Sequence, residues 1–177
     1  MSNNLHFLLK LWTLLAIISI ITSSDLPLLS RWSLKGKNIL VTGGTLGIGK
    51  AIVEECAALG AHVFTCARNE KALTECLKEW KEKGYYVEGC VADMGIENDR
   101  QTLIENVKKT FSNKLNGVIN NVGTNIRKRA IEYSIEEYEH IMNTNLHATY
   151  HLTMQLYPLL KGQDSCVVNI GSVAGIL

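Results

Sequence analysis

Thr42-Gly43-Gly44-Thr45-Leu46-Gly47-Ile48-Gly49 is the stretch that decides the fold of this chain. A short apolar run from Asn38 to Val41 precedes this glycine turn, and a helical pattern from Ile48 to Leu59 follows it. Glycines allow a tight turn and a close backbone approach, and the first N–H groups of the following helix attract negative charge. A strand, a glycine turn and a helix in this order therefore predict a cradle for the pyrophosphate of a dinucleotide.

The rest of the chain alternates apolar runs with helical patterns. Further strands are predicted at residues 62–66, 86–91, 117–120 and 166–170, and helices at 70–83, 97–111 and 134–160. Ser134 and Glu137 have capping-box spacing at the start of the last helix. This alternation predicts right-handed crossovers and a parallel sheet covered on both faces, an α/β fold of the doubly wound Rossmann type with strand order 3-2-1-4-5.

The glycine spacing Thr-Gly-x3-Gly-x-Gly resembles that of the short-chain dehydrogenase/reductase family. Four further segments carry the resemblance: Arg31 to Lys37, Thr65 to Asn69, Asn120 to Asn125, and Val168 to Gly175. Together they are similar to the tropinone-reductase-like branch found in plants. The resemblance covers residues 31–177 and implies an NADP-binding Rossmann domain that lacks the last elements of the family fold.

The resemblance also implies which residues hold the dinucleotide. They are Thr42, Gly43, Gly44, Thr45, Leu46, Gly47, Ile48, Gly49, Arg68, Asn69, Asp93, Met94, Asn120, Asn121 and Gly123. Arg68 follows the second strand, where an acidic residue would bind the ribose of NAD and a basic one meets the extra phosphate of NADP. The alternative is an exposed arginine that starts a helix. The family often has a second basic residue in the turn, where this chain has Leu46.

Asp93 follows the third strand. By resemblance its carboxylate accepts a hydrogen bond from the adenine amino group, with the Met94 backbone beside it; a turn or capping aspartate is the alternative. Asn120 and Asn121 are expected to lie over the adenosine half of the cofactor and to tie neighbouring strands together, since a buried amide needs partners.

The catalytic residues implied by the resemblance are Ser172, which would hold the substrate oxygen, and Asn145, which would complete a water-linked proton path. The family's Tyr-x-x-x-Lys pair should follow Ser172 by about a dozen residues, and the sequence given does not contain it. Tyr157 and Lys161 have this spacing, but Pro158 intervenes and the pair precedes Ser172, so it is a weak candidate.

Two functions are therefore open. The first is an NADP-dependent short-chain oxidoreductase that interconverts a small carbonyl compound and an alcohol, here expected to be truncated. The second is a non-catalytic remnant that binds nucleotide or pairs with a full-length relative. Homo- or hetero-oligomers are expected from the family.

Composition excludes several other classes. With 46% hydrophobic and 20% charged residues the chain is typical of globular proteins, and a net charge of +1 gives no reason to expect nucleic acid. Five cysteines, none in a Cys-x-x-Cys pair, are interpreted as reduced and buried rather than as disulfides or a metal site. His140, His147 and His151 share one face of the predicted helix, but no glutamate sits beside them in the zinc-protease manner and no metal is predicted.

Residues 1–30 form a separate hydrophobic segment. The uninterrupted apolar part, Leu11 to Ile21, is too short to span a bilayer comfortably. The pattern is typical of a signal-peptide core with a small-residue region at 22–24; an anchor and an extension that the fold does not need are the alternatives. It favours secretory or membrane targeting, with membrane contact expected only through residues 5–21, whereas the Rossmann domain and free cysteines favour the cytoplasm.

Overall fold

The structure, a computed structural model, describes residues 32–172. They form a five-stranded, all-parallel sheet in the order β3-β2-β1-β4-β5, which confirms the predicted topology. The strands are β1 (Asn38–Thr42), β2 (His62–Ala67), β3 (Val87–Val91), β4 (Gly117–Asn120) and β5 (Cys166–Asn169). The predicted targeting segment, residues 5–21, lies outside the described residues. Within residues 32–172, no helix is both long and apolar enough to cross a membrane.

In the described part of the chain, five α-helices connect and flank the strands. They are α1 (Gly47–Ala58), α2 (Glu70–Glu82), α3 (Glu97–Thr110), α4 (Ile135–Met142) and α5 (Ala148–Leu160). A 3₁₀ turn at Ala130–Glu132 precedes α4. Ser134 caps α4 in the predicted capping box with Glu137. The outer boundaries lie within one or two residues of those predicted, and α2 and α4 begin at side-chain caps, Asn69 and Ser134.

The predicted helix over 134–160 is not continuous. A π-helical segment, Asn143–His147, separates α4 from α5. Its Asn145 side chain bonds to the backbone of Thr124, on the loop that follows β4. Hydrophobic periodicity does not distinguish a π turn from an α turn, so the sequence pattern missed this segment. Such segments occur frequently at functional sites.

Each face of the sheet packs against its own pair of helices. Leu40 points to the face covered by α3 and α5, and its neighbour Val41 points to the face covered by α1 and α2, as the two-residue period of a strand requires. At β5, the edge strand beside β4, Val167 and Val168 face opposite sides and are 40% and 43% exposed, and α5 contacts this strand.

All five cysteines are free thiols. Cys66 and Cys76 are buried and Cys56 and Cys90 are partly buried, in agreement with the interpretation as small hydrophobic residues. Burial raises the pKa of the Cys66 thiol to about 12. Cys166 is exposed on β5, which contradicts that interpretation for this one residue.

A network of ion pairs joins α1 to α2 on the outer surface. The Glu79 carboxylate lies 2.8 Å from Lys50 Nζ and 2.6 Å from Lys83 Nζ, and Lys83 Nζ also lies 3.3 Å from Glu54. Hydrogen bonds from Lys50 and then from Lys83 lower the pKa of Glu79 to about 2. The network therefore depends on pH and, being solvent-exposed, on salt.

The Glu79→Gln variant should show this pH dependence. Because its pKa is lowered on folding, Glu79 contributes stability that is complete above about pH 4.5 and is lost as the pH falls towards 2. The urea midpoint of wild type should exceed that of Glu79→Gln at pH 7, and the gap should close near pH 2. Glu75→Gln, an exposed change on the same helix, controls for net charge. A gap that is the same at both pH values would contradict the assignment.

Candidate functional site

The turn between β1 and α1 requires glycine at four positions for two different reasons. Gly43 and Gly47 have φ values of +71° and +53°, a region that side chains disfavour. At Gly44 a Cβ would lie 2.2 Å from Thr65 Oγ1, and at Gly49 it would lie 2.1 Å from the Gly43 carbonyl oxygen. The first pair is thus needed for the backbone path, and the second pair for the close packing of α1 and β2 against the turn.

The N-terminus of α1 fits an anionic group. Its first turn contains no acidic side chain, and Leu46 at the N-cap provides no side-chain hydrogen bond. The first N–H groups of the helix therefore keep their capacity to donate, and the helix dipole adds positive potential there. A pyrophosphate is the group that such a turn accommodates.

A cavity of about 290 Å³ lies beside this turn. Eight of the predicted cofactor residues line it: Gly43, Thr45, Leu46, Arg68, Asp93, Met94, Asn121 and Gly123. Seven predicted cofactor residues do not: Thr42, Gly44, Gly47, Ile48, Gly49, Asn69 and Asn120. The second group contains the structural residues of the turn, the N-cap of α2 and the residues that join strands.

Thr42 and Asn121 hold the glycine turn against the loop after β4. Thr42 Oγ1 accepts hydrogen bonds from the backbone N–H groups of Asn121 (3.0 Å) and Val122 (3.2 Å). In return, Asn121 Nδ2 donates to the carbonyl oxygens of Thr42 (2.9 Å) and Gly43 (3.3 Å). Two neighbouring strand ends are thereby fixed in a single arrangement at the edge of the cavity.

The side chains of Asn120 and Asn69 form hydrogen bonds within the protein. Asn120 is buried, and its Nδ2 donates to Asn169 Oδ1 (2.8 Å) on β5 and to Thr153 Oγ1 (3.1 Å) on α5. The predicted role of tying neighbouring strands together thus fits Asn120. Asn69 Oδ1 accepts from the N–H of Ala72 and so caps α2.

Arg68 and Asp93 face each other across the rim of the cavity. Arg68 Nη1 lies 3.8 Å from Asp93 Oδ2, and the Arg68 side chain is 71% exposed. Asp93 Oδ1 accepts from the N–H of Gly95 (2.8 Å), and the Asp93 N–H donates to Asp99 (2.7 Å). The aspartate is therefore fixed in place, whereas the long and exposed ion pair leaves Arg68 available to an anion, since such pairs stabilise weakly.

The two predicted catalytic residues do not line the cavity. Asn145 Oδ1 accepts from the Thr124 N–H (2.8 Å) and Asn145 Nδ2 donates to the Thr124 carbonyl (2.9 Å), so the amide holds the loop after β4. Ser172 is exposed and lies just beyond the carboxyl end of β5.

Tyr157 lies at the other edge of the sheet. It is near the end of α5, whose Leu159 carbonyl accepts from the N–H of Leu115, just before β4 begins. Tyr157 is therefore near the amino edge, while Ser172 is at the carboxyl edge. The intervening strand β5 spans roughly 13 Å at the usual rise per residue, so the two groups do not form one site.

Sequence reasoning missed six residues of the cavity wall: Cys66, Ala67, Ala92, Val122, Thr124 and Thr144. Four of them, Ala67, Ala92, Val122 and Thr124, are next in sequence to predicted site residues, and Cys66 is two positions from Arg68; all five lie at or just after strand ends, where the parallel sheet brings side chains together. Thr144 comes from the π segment and had no sequence signal beyond its place before Asn145. Of the three histidines, His147 and His151 have ring centroids 6.4 Å apart, and residues 32–172 contain no group of three potential metal ligands.

Comparisons with known proteins agree with this geometry. Residues 37–177 match the short chain dehydrogenase family. A tropinone reductase homolog from Arabidopsis thaliana is 52% identical over 148 residues, which are 83% of this chain and 56% of that protein. Another from Datura stramonium is 50% identical over 149 residues, 83% of this chain and 55% of that protein. The chain thus spans little more than half the length of these relatives.

A solved structure adds to the comparison. The Pseudomonas aeruginosa RhlG/NADP active-site complex has a TM-score of 0.73 and 32% identity, covering 82% of this chain and 58% of that one. These matches confirm the resemblance that the glycine turn and the other ordered motifs indicated.

Proposed function

The chain belongs to the short chain dehydrogenase family, and from that premise we propose that it binds NADP(H) in the cavity beside the glycine turn. We further propose that it serves the interconversion of a small carbonyl compound and an alcohol. The observation that carries the proposal is the glycine turn itself, where Gly44 and Gly49 leave no room for a methyl group and the first turn of α1 carries no acidic side chain.

The preference for NADP rests on Arg68. Its guanidinium is exposed at the cavity rim, and its ion pair within residues 32–172 is a long one, 3.8 Å, with Asp93. A charge-assisted contact to the 2′-phosphate of NADP would replace that weak pair. The solved relative from Pseudomonas aeruginosa is described as a complex with NADP, which supports the same choice.

A bound nicotinamide would donate a hydride to the carbonyl carbon or, in the reverse direction, accept one from the carbinol carbon of the alcohol. The residues of the chain bind and orient. The glycine turn and the start of α1 bind the pyrophosphate, and Asp93 accepts from the adenine amino group. Ser172 Oγ is proposed to hold the substrate oxygen, and Asn145 to position the loop after β4 through Thr124.

Nucleotide binding without turnover is the second candidate. The observation that favours it is that Tyr157, which has Tyr-x-x-x-Lys spacing with Lys161, lies at the opposite edge of the sheet from Ser172. The assay that separates the candidates mixes the 177-residue chain with NADPH and small ketones and follows the nicotinamide absorbance. Turnover that Ser172→Ala abolishes supports the oxidoreductase, whereas binding without turnover supports the second candidate.

Arg68→Ala should remove the preference for NADPH over NADH. The lost charge-assisted contact is worth roughly 1.5–3 kcal/mol, so the Kd for NADPH should rise roughly tenfold to a hundredfold, while that for NADH stays nearly constant. Fluorescence titration of both cofactors measures this. Lys78→Ala on α2 removes the same charge at an exposed position and is the matched control. Equal affinities for the two cofactors, unchanged in Arg68→Ala, would overturn the proposed preference.

A further inference from the structure

Thr144 carries an unusual hydroxyl group. Among the described residues, its Oγ1 is the one buried side-chain nitrogen or oxygen that has no hydrogen-bond partner. The residue is 6% exposed and forms part of the wall of the nucleotide cavity. Buried polar groups in folded proteins are almost always paired, so an unpaired one beside a cavity indicates a missing partner.

Thr144 lies at the junction between α4 and the π segment. A threonine in an α-helix commonly bonds to the backbone carbonyl one turn earlier. Thr144 lies within Asn143–His147, where the wider turn changes the spacing of the carbonyl groups. Asn145, the next residue, fixes this segment to Thr124, so the backbone does not readily rearrange to supply a partner.

The surroundings of the hydroxyl show what it would recognise. A Cβ at Gly95 would lie 3.2 Å from Asp93 Oδ1 and 3.4 Å from Thr144 Oγ1, so the two oxygens flank the same space, which glycine leaves open. Asp93 and Thr144 also line the same cavity. A carboxylate accepts only, whereas a hydroxyl both donates and accepts. Together they match a base edge on which an amino group lies next to a ring nitrogen.

We propose that Thr144 recognises the adenine base of the bound nucleotide through its hydroxyl group, as a specificity-determining partner to Asp93. This inference rests on the proposed function, because it places the adenine end of NADP(H) in the described cavity. It adds a residue on the helical side of the cavity to the strand-end residues that the sequence pattern indicated.

Thr144→Val tests the proposal because it removes the hydroxyl and keeps the shape. Two effects of opposite sign are expected. The melting temperature of the free chain should stay the same or rise, since an unpaired buried hydroxyl is replaced by a methyl. The Kd for 2′,5′-ADP, which carries the adenine and no nicotinamide, should rise roughly threefold to tenfold. Reduced nicotinamide mononucleotide, which carries no adenine, should bind equally to both proteins.

Two further variants separate base recognition from other causes. Thr144→Ser keeps the hydroxyl and should bind 2′,5′-ADP within about twofold of wild type. Arg68→Ala should weaken the binding of 2′,5′-ADP but not of AMP. Thr144→Val should weaken the binding of both nucleotides by the same factor, because the contacts of Arg68 and Thr144 are independent. Calorimetry of the full 177-residue chain supplies all of these constants.

The possible outcomes distinguish a failure of the role of Thr144 from a failure of the proposed function. If wild type and Thr144→Val bind 2′,5′-ADP and AMP equally, the role of Thr144 is wrong and the proposed function stands. A lower melting temperature together with equally weakened binding of both half-cofactors would make Thr144 a structural residue and overturn the inference. If wild type binds none of these nucleotides, the proposed function fails, and the inference fails with it.

Discussion

Gly49→Ala is expected to abolish nucleotide binding and to destabilise the fold. The new Cβ would lie 2.1 Å from the Gly43 carbonyl oxygen and 2.5 Å from Asn121 Nδ2. The first contact is with backbone, which cannot rotate away, so the start of α1 must separate from the glycine turn. That movement disrupts the N–H groups that face the phosphates and breaks the contact of Asn121 with the turn.

The expected magnitudes are large in both respects. The Kd for NADPH should rise at least about a hundredfold, and the free energy of unfolding should fall by about 3 kcal/mol, the upper part of the range for overpacking. Urea unfolding and fluorescence titration measure the two effects. Gly117→Ala is the matched control, because its Cβ would make only an ordinary contact, 3.6 Å from Ile39. A Gly49→Ala protein that binds NADPH as wild type does would show that the turn is not the phosphate site.

Trp80→Ala is expected to be the most destabilising single truncation in the α1–α2 face of the core. Trp80 is fully buried on α2 among apolar residues of β1, β2 and α1, and its Nε1 donates to Glu54 (3.0 Å). Removing the indole leaves a large cavity and should lower the free energy of unfolding by about 3–5 kcal/mol. Chemical denaturation followed by circular dichroism measures the change.

Two controls separate the contributions of the tryptophan. Trp80→Phe keeps most of the ring and loses the hydrogen bond, so its cost should be clearly smaller. Tyr86→Ala truncates an aromatic residue that is 67% exposed, and it should cost less than about 1 kcal/mol. If Trp80→Ala costs no more than Tyr86→Ala, Trp80 does not anchor α2 against the sheet.

The predictable part of this molecule is the part with local signals. The strand order and nearly all element boundaries follow from periodicity, from the glycine turn and from caps such as Ser134 and Asn69. The glycine turn is predictable from the sequence as well, because glycine is the residue that adopts the positive φ angles found at Gly43 and Gly47.

The unpredicted part depends on contacts between distant residues. The π segment is held by Asn145 and Thr124, which are 21 positions apart, and no local pattern indicates that pairing. Likewise, the role of Asn120 in joining β4 to β5 depends on Asn169 and Thr153, which are distant in sequence and which no local pattern pairs with it. Thr144 was missed for the same reason, since its position in the cavity wall results from the π segment.

The strand order has a consequence for how the protein is synthesised. Of the described strands, β1 is the first to leave the ribosome; it occupies the middle of the sheet, and its partner β4 begins at Gly117. The Asn121 amide, which donates hydrogen bonds to the glycine turn, is 79 residues downstream of Thr42. Contacts between such distant residues form slowly, because a long loop must close first. The nascent chain thus presents its most recognisable motif early but assembles the complete cradle only after residue 121 has emerged.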